Sequence, residues 1–471
     1  MKHWTLALAL ITSLWASCGF AQDWPQWRGP NRDANAAGFK SPKSWPKELT
    51  QKWKVTVGEG VATPSLVGDR LYVFSREDGN EITRCLNAAD GKEIWTEKYE
   101  SLGASGPAQG FSGPRSSPAV ANGKVVTLGV RGMLSCLDAA TGQKLWRKDD
   151  FHAYPNFHPS SSPLIVDGLA IAQLGGRENG AVVAYDLASG TEKWKWSGPG
   201  PAYASPVLMT ISGTKLIVAQ TEANLVALNA TTGQVAWESE ATPQGGGPGG
   251  GGRGMGGGRD YKAATPIVDG QTIITAGRGV KAVKLEKNGD KFVVKELWNN
   301  PDKSISFNTP ALKNGVLYGL GGNNELFCLN AKDGSVAWST AFPGGGAAGG
   351  GPRAAIDLPA RAPSFVGLVQ ADGPPPREPG RPGGPGGPGG PGGRRGGMGG
   401  GGGFGSIVDA GSVLLALTPA GQLVVFEASD KEFKQLASYK VSDNQTHAYP
   451  VLSGNRIFIK DKDSIILWTV D

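Results

Sequence analysis

Asp138-Ala-Ala-Thr-Gly142-Gln-Lys-Leu-Trp146 is the stretch from which the fold is read. The apolar run Leu134-Ser-Cys-Leu137 leads into an Asx residue whose side chain can cap a tight turn, and Gly142 supplies a positive φ. A second short strand then delivers an indole at a fixed offset. The pattern recurs as Asn87-Ala-Ala-Asp-Gly91 to Trp95, Asp186-Leu-Ala-Ser-Gly190 to Trp194, Asn229-Ala-Thr-Thr-Gly233 to Trp237 and Asn330-Ala-Lys-Asp-Gly334 to Trp338. Five close copies establish an internal repeat, so a length of 471 residues points to one repeat architecture rather than to several ordinary domains.

Upstream of the hairpins stands a second recurrent element: Thr63-Pro64, Ser117-Pro118, Ser162-Pro163, Ser205-Pro206, Thr265-Pro266 and Thr309-Pro310. Each precedes a short β-branched run, a Gly-centred turn and another strand such as Arg70-Leu-Tyr-Val-Phe74. Each unit thus holds four strands at a period of about 43 residues, the spacing of propeller blades. Proline is tolerated at the first strand position, where no ladder donor is needed.

Two degenerate units continue the series: residues 280–298, ending in Trp298, and 406–439, with Tyr439 in the tryptophan place. The C-terminal stretch Tyr449 to Val470 supplies three strands without a final one, and Gln51-Lys-Trp53-Lys-Val55 is a tryptophan strand without a unit. The prediction is an all-β chain: an eight-bladed β-propeller of four-stranded antiparallel blades over 50–471, its ring closed by the N-terminal strand pairing with the C-terminal blade so that no sheet edge is left open. Trp53, Trp95, Trp146, Trp194, Trp237, Trp298, Trp338 and Tyr439 are then structural, docking one blade on the next.

Lys2 and His3 followed by an apolar core, Leu6 to Leu14, read as a signal peptide over 1–21 with cleavage after Ala21, followed by an N-terminal extension over 22–49. The product is expected to be periplasmic or secreted, with a lipid anchor on Cys18 as the alternative. No other apolar run is long enough for a transmembrane segment. Two inserts, 242–259 and 343–405, are so rich in Gly, Pro and Arg that they cannot bury a core, and are expected to be disordered. Together with Lys2 they carry the whole net charge of +6. The propeller itself is then close to neutral, which argues against a nucleic-acid partner. Cys85, Cys136 and Cys328 share one repeat position, where Ala184 and Ala227 stand elsewhere, and read as small buried thiols rather than a disulfide framework.

The tryptophan-terminated repeats resemble the pyrroloquinoline-quinone-like propeller superfamily, and Asp23-Trp-Pro-Gln-Trp-Arg-Gly-Pro-Asn-Arg32 is similar to the mature start of exported bacterial members. That resemblance implies one of two activities. One is a non-catalytic scaffold for binding or protein interaction, as in the propeller subunit of the outer-membrane β-barrel assembly machinery. The other is a quinone-dependent dehydrogenase of alcohols or sugars, holding pyrroloquinoline quinone with calcium. The enzyme implies an adjacent cysteine pair, calcium ligands and a catalytic Asp, and the chain has no vicinal cysteines and only Asp260 as an acid in its blade-entry loops. The scaffold reading is therefore preferred, with no cofactor, no metal site and a monomeric ring. Its candidate ligand-binding residues are Arg115, His158, Tyr203, Lys262, Asn308 and His447, one from each of six entry loops. They are expected to converge at one mouth of the channel and to suit a protein or a small polar or anionic ligand.

Overall fold

The computed structural model describes residues 23–240, 262–322, 324–342 and 405–471, all within one compact unit. The signal segment with Cys18, the insert 242–259 and all of the insert 343–405 except Gly405 lie outside the described residues.

The described strands pair into eight four-stranded antiparallel sheets. Blade 1 runs outward from the channel through Ser65–Val67, Arg70–Glu77, Asn80–Asn87 and Glu93–Glu100. Blades 2 to 7 repeat the meander within residues 119–148, 164–198, 207–238, 267–300, 311–341 and 406–440. Blade 8 takes three strands from Val451–Ser453, Arg456–Lys460 and Ser464–Thr469, and its outermost strand is Thr50–Thr56, paired from Thr50 opposite Thr469 to Thr56 opposite Ser464. The ring is closed by this exchange between the two ends of the chain, as the lone Trp53 strand predicts. Among the described residues no helix is long and apolar enough to cross a membrane.

A hydroxyl belt explains the Ser/Thr-Pro dipeptides. The Tyr449 N–H donates to Thr63 Oγ1 (2.9 Å), Thr63 N–H to Ser117 Oγ (3.0 Å) and Ser117 N–H to Ser162 Oγ (2.9 Å). Ser162 N–H then donates to Ser205 Oγ (2.9 Å), Ser205 N–H to Thr265 Oγ1 (3.2 Å) and Thr265 N–H to Thr309 Oγ1 (2.9 Å). The following proline holds each residue extended, so its hydroxyl faces the preceding blade's amide. The belt runs unbroken from blade 8 round to blade 6 and satisfies amides that no strand partner reaches.

At the outer rim, every blade carries one β-bulge in its outermost strand. In blade 2, Trp146 lies opposite Cys136 and Lys144 opposite Leu137, so Leu145 is unopposed. The bulge twists the edge strand and turns the next residue, the tryptophan, toward the neighbouring blade. Cys85, Cys136, Ala184, Ala227 and Cys328 face these indoles across the strand pair. The three thiols are free and buried, and burial pushes them up to about 11 for Cys85 and about 12 for the other two.

Five indoles, Trp53, Trp95, Trp146, Trp194 and Trp298, rest on the glycine of the next blade's turn, and the docking indoles donate to a carbonyl beside them. Trp95 donates to Ala139 O (3.1 Å), Trp146 to Leu187 O (3.1 Å), Trp194 to Ala230 O (3.0 Å) and Trp298 to Ala331 O (2.8 Å). Trp53 donates to Ala89 O (3.1 Å) across the closure, and Trp338 to Ser429 O (2.8 Å). Trp237 meets a different surface, because blade 5 has an extended hairpin in place of the glycine turn; it packs with Leu285, Phe292 and Val294. Tyr439 does not stand in the tryptophan place. The register puts Ala437 there, opposite Val425, and Tyr439 two residues on, opposite Leu423. Its hydroxyl donates to Pro46 O (2.6 Å). In blade 8 the turn that would seat an indole is replaced by the two chain ends, and Pro46 supplies a carbonyl instead.

Gly142 has φ +77°, and a Cβ built on it would lie 2.5 Å from Cε3 of Trp95, whereas Gly123 (φ +69°) has nothing within 4 Å. Both pay a backbone penalty on substitution by alanine, and only Gly142 adds a steric one. Gly123→Ala is expected to cost about 1 kcal/mol and Gly142→Ala about 3 kcal/mol, read from urea unfolding midpoints. Equal costs would show that the indole seat is not what the glycine serves.

Candidate functional site

Residues 23–49, the described part of the segment set apart above as an extension, are built into the ring. Between Trp24 and Lys40 this segment hydrogen-bonds to all eight blades. Trp24 exchanges backbone bonds with Leu66 of blade 1 (2.7 and 2.8 Å), and Pro25 O accepts from Val120 N–H of blade 2 (2.8 Å). The Arg32 guanidinium donates to Ser162 O (3.1 Å) and Pro163 O at blade 3 and to Pro206 O at blade 4 (2.8 Å). The Trp27 indole donates to Thr265 Oγ1 of blade 5 (3.1 Å), and Arg28 Nη2 to Pro310 O of blade 6 (2.7 Å). Ala36 N–H donates to Asp409 O of blade 7 (2.8 Å), and Lys40 N–H to Gly454 O of blade 8 (2.7 Å).

Leu66, Asp409 and Gly454 lie at the far ends of innermost strands, and Ser162, Pro206 and Pro310 at their starts. The segment therefore lies across the channel end away from the entry loops, with Trp27, Arg28 and Arg32 extending along the channel. Arg28, Arg32 and Ala34 are held at φ 58°, 59° and 61°, a left-handed conformation costing about 1 kcal/mol or more apiece. Such a backbone persists because the surrounding bonds over-determine it.

Both guanidinium groups are buried, and burial lowers both, Arg32 to about 9. Their satisfaction differs. Arg32 spends Nε on Gln26 Oε1 (3.0 Å) and its two terminal nitrogens on three carbonyls. Nε and Nη1 of Arg28 are buried without a partner among the described residues, although its guanidinium lies 5.7 Å from the centre of the Tyr449 ring. In the sequence these residues carry a resemblance and no assigned role. Two tryptophans and two arginines within nine residues outside any repeat, in a Gly/Pro-rich stretch, are the signal that marks them.

At the opposite mouth, Arg115 lies within electrostatic range of both Tyr203 and His158, while His447 joins them through an edge contact with Phe111 (4.9 Å between centroids). Each expected ligand group instead braces a loop. Arg115 donates to Ala108 O (2.9 Å), Phe111 O (2.9 Å) and Gly113 O (3.2 Å), and burial lowers it to about 10. His158 accepts from Ser105 N–H at Nε2 (3.0 Å), donates to Val130 O from Nδ1 (2.8 Å) and stacks on Tyr154. The Tyr203 hydroxyl accepts from Phe157 N–H (3.2 Å). Lys262 donates to Ala223 O (3.0 Å) and Asn308 to Leu320 O (2.8 Å). These bonds brace the loops, because buried donors beside a loop carbonyl bind it in preference to remaining unpaired.

The ring, its indole seats and its filled channel define a repeat propeller of the quinoprotein type. The family model for outer membrane protein assembly factor BamB matches residues 44–177 and 78–340, and the chain belongs to that family. Among curated relatives, BamB of Xanthomonas campestris pv. campestris is 33% identical over 118 residues, covering 24% of this chain and 28% of that protein. Quinohemoprotein alcohol dehydrogenase ADH-IIG of Pseudomonas putida is 29% identical over 164 residues, covering 34% of this chain and 22% of the enzyme. The chain thus spans about a quarter of the length of these two relatives. Among solved structures, BamB from Moraxella catarrhalis superposes with a TM-score of 0.55 at 15% identity, covering 89% of this chain and 99% of that one. Quinohemoprotein alcohol dehydrogenase from Comamonas testosteroni does so with a TM-score of 0.62 at 15% identity, covering 95% and 80%. At such identity the superpositions speak to the fold alone.

Replacing Arg32 by methionine strips partners from three blade carbonyls and Gln26, whereas replacing Arg28 strips Pro310 O and the long contact to Asp33 O and removes two unpaired donors. Arg32→Met is expected to cost about 3–5 kcal/mol in chemical unfolding and Arg28→Met less than about 2 kcal/mol. The reverse order would overturn the account of the channel segment.

Proposed function

We propose that this chain is an exported, non-catalytic propeller that holds a protein partner on the outside of its ring. The observation that carries the reading is the state of the interior. One end of the channel is occupied by the chain's own residues 24–40, and at the other the groups capable of chemistry are engaged in bracing loops. What remains on offer is the rim. There the unopposed bulge residues Ile94, Leu145, Leu297 and Leu436 are 40–44% exposed, unusually apolar for positions pointing into water. Export is supported by the signal-like residues 1–21, and a protein partner by the family, whose model is named for an assembly factor.

The quinone-dehydrogenase reading rests on similarity to the quinohemoprotein alcohol dehydrogenases. The residues present do not fit the group. Among those described, no three His, Cys, Asp or Glu side chains gather in a metal-holding cluster, and the three described cysteines are buried in separate blades. The cationic mouth groups that would meet a quinone carboxylate are already bonded to backbone carbonyls, so no step is derived through the cofactor.

A photo-crosslinking residue placed at Leu145 or Leu436 in the exported protein is expected to give one defined protein adduct. Titration of the purified chain with pyrroloquinoline quinone and calcium is expected to leave the quinone spectrum unchanged. Stoichiometric quinone uptake with dye reduction on alcohols or sugars overturns the scaffold reading, and so does the absence of an adduct from both rim positions.

A further inference from the structure

The connection from blade 1 to blade 2, residues 101–116, is much longer than a propeller needs. Its neck is closed by Ala104 N–H donating to Ser112 O (2.9 Å), which makes it a compact Ω-type loop. It does not stay over its own junction. One side reaches blade 3, where Ser105 N–H meets Nε2 of His158 (3.0 Å). The other side reaches blade 8, where Phe111 packs edge-on against the His447 ring. Between them Ser112 Oγ donates to Glu59 Oε2 (2.5 Å), and Val61 and Ala62 N–H donate to Pro114 O (2.9 and 3.1 Å). The loop thus lies across the entry loops of four successive blades, with Leu102 at its shoulder 73% exposed.

We propose that residues 101–116 form a strap over the channel mouth that acidification releases by protonating the two imidazoles at its ends.

The chemistry at His158 is specific. Nδ1 donates to Val130 O, so in the closed loop Nε2 carries the lone pair that accepts the Ser105 N–H. A second proton would set one N–H against another and break the anchor. The groups around His158 reinforce this: Arg115 and Arg131 are cationic, Tyr154 stacks on the ring, and the exposed Asp149–His152 pair lies on the same connection. At His447 the ring stands near-perpendicular to Phe111 (4.9 Å between centroids), and burial opposes its charged form. Beneath the strap, Glu59 also contacts Lys462 and is held below the ordinary carboxylate range, so it stays charged while the imidazoles titrate. Among the described residues Arg115 donates only to carbonyls of the strap itself, and it moves with the strap.

The direction follows from linkage. Burial lowers both imidazoles, His447 to about 4, from an ordinary value of 6.5. The opened loop binds protons more readily than the closed one, so closure is undiminished above 6.5 and is lost progressively as pH falls toward 4. Among the described residues no blade strand carries a histidine, and the blade hydrogen bonds are expected to survive.

The test is hydrogen exchange on the full mature chain from pH 7.5 to 4.5, corrected for intrinsic rates. Strap amides, Ser105 above all, are expected to lose protection by about tenfold or more while blade amides keep theirs. His158→Gln, whose carbonyl can accept from Ser105 without titrating, and His447→Leu are each expected to blunt the loss. Protection that stays constant in the strap, or that falls together in strap and blades, overturns the proposal. So does an undiminished loss in both variants. Should a variant fail to fold, the wild-type profile decides alone, since strap-limited release is either present or absent.

Discussion

An indole seated on a glycine is the contact on which the rest of this molecule depends. A four-stranded blade buries both faces of its inner strands only if a neighbour stands on each side, and the seat sets the distance and angle of that neighbour. The bulge before each tryptophan aims the ring, the small residue opposite makes room for it, and the positive-φ glycine lets the next turn come beneath it. Three features of the repeat that look independent in the sequence thus serve one contact. Where the seat is missing, the structure substitutes for it: an apolar hairpin under Trp237, and a carbonyl from Pro46 at the closure.

Eight blades arranged this way leave a hole, and a hole lined by strand starts exposes carbonyls that no ladder uses. The N-terminal segment answers that deficit. Arginine suits the task because a planar fork of donors can bond several carbonyls from different blades at once, and lysine could not bridge them in fixed directions. The cost is two buried cations and three residues in left-handed conformation. With its interior committed in this way, the propeller has its free surface on the rim and over the strap.

How much of this was legible in the sequence follows from where the information lies. The blades could be read because their signals are local and repeated: an Asx, a glycine and a tryptophan at fixed offsets, with Ser/Thr-Pro ahead. The closure could be read because Trp53 had no unit of its own. The channel segment could not, since its bonds to Pro206 or Pro310 span well over a hundred residues and follow no period. Tyr439 was misplaced for a related reason: a bulge shifts register by one residue, and an aromatic two positions away is then the nearest candidate in a string of letters. The mouth residues were assigned to the right loops, but whether a side chain points into a channel or back to a carbonyl is decided by packing. Sequence position gives only the loop.

The borrowed strand has a consequence for how such a chain comes to be folded. Residues 24–56 leave the ribosome ahead of every blade, and their partners in blades 6, 7 and 8 come last, so neither the channel segment nor the strand Thr50–Thr56 can settle until nearly the whole polypeptide is present. Contacts between the two termini dominate the seam, and closing so long a loop is slow. The unfinished ring exposes one unpaired sheet edge at each end in the meantime, a hazard that the chain carries until synthesis is complete.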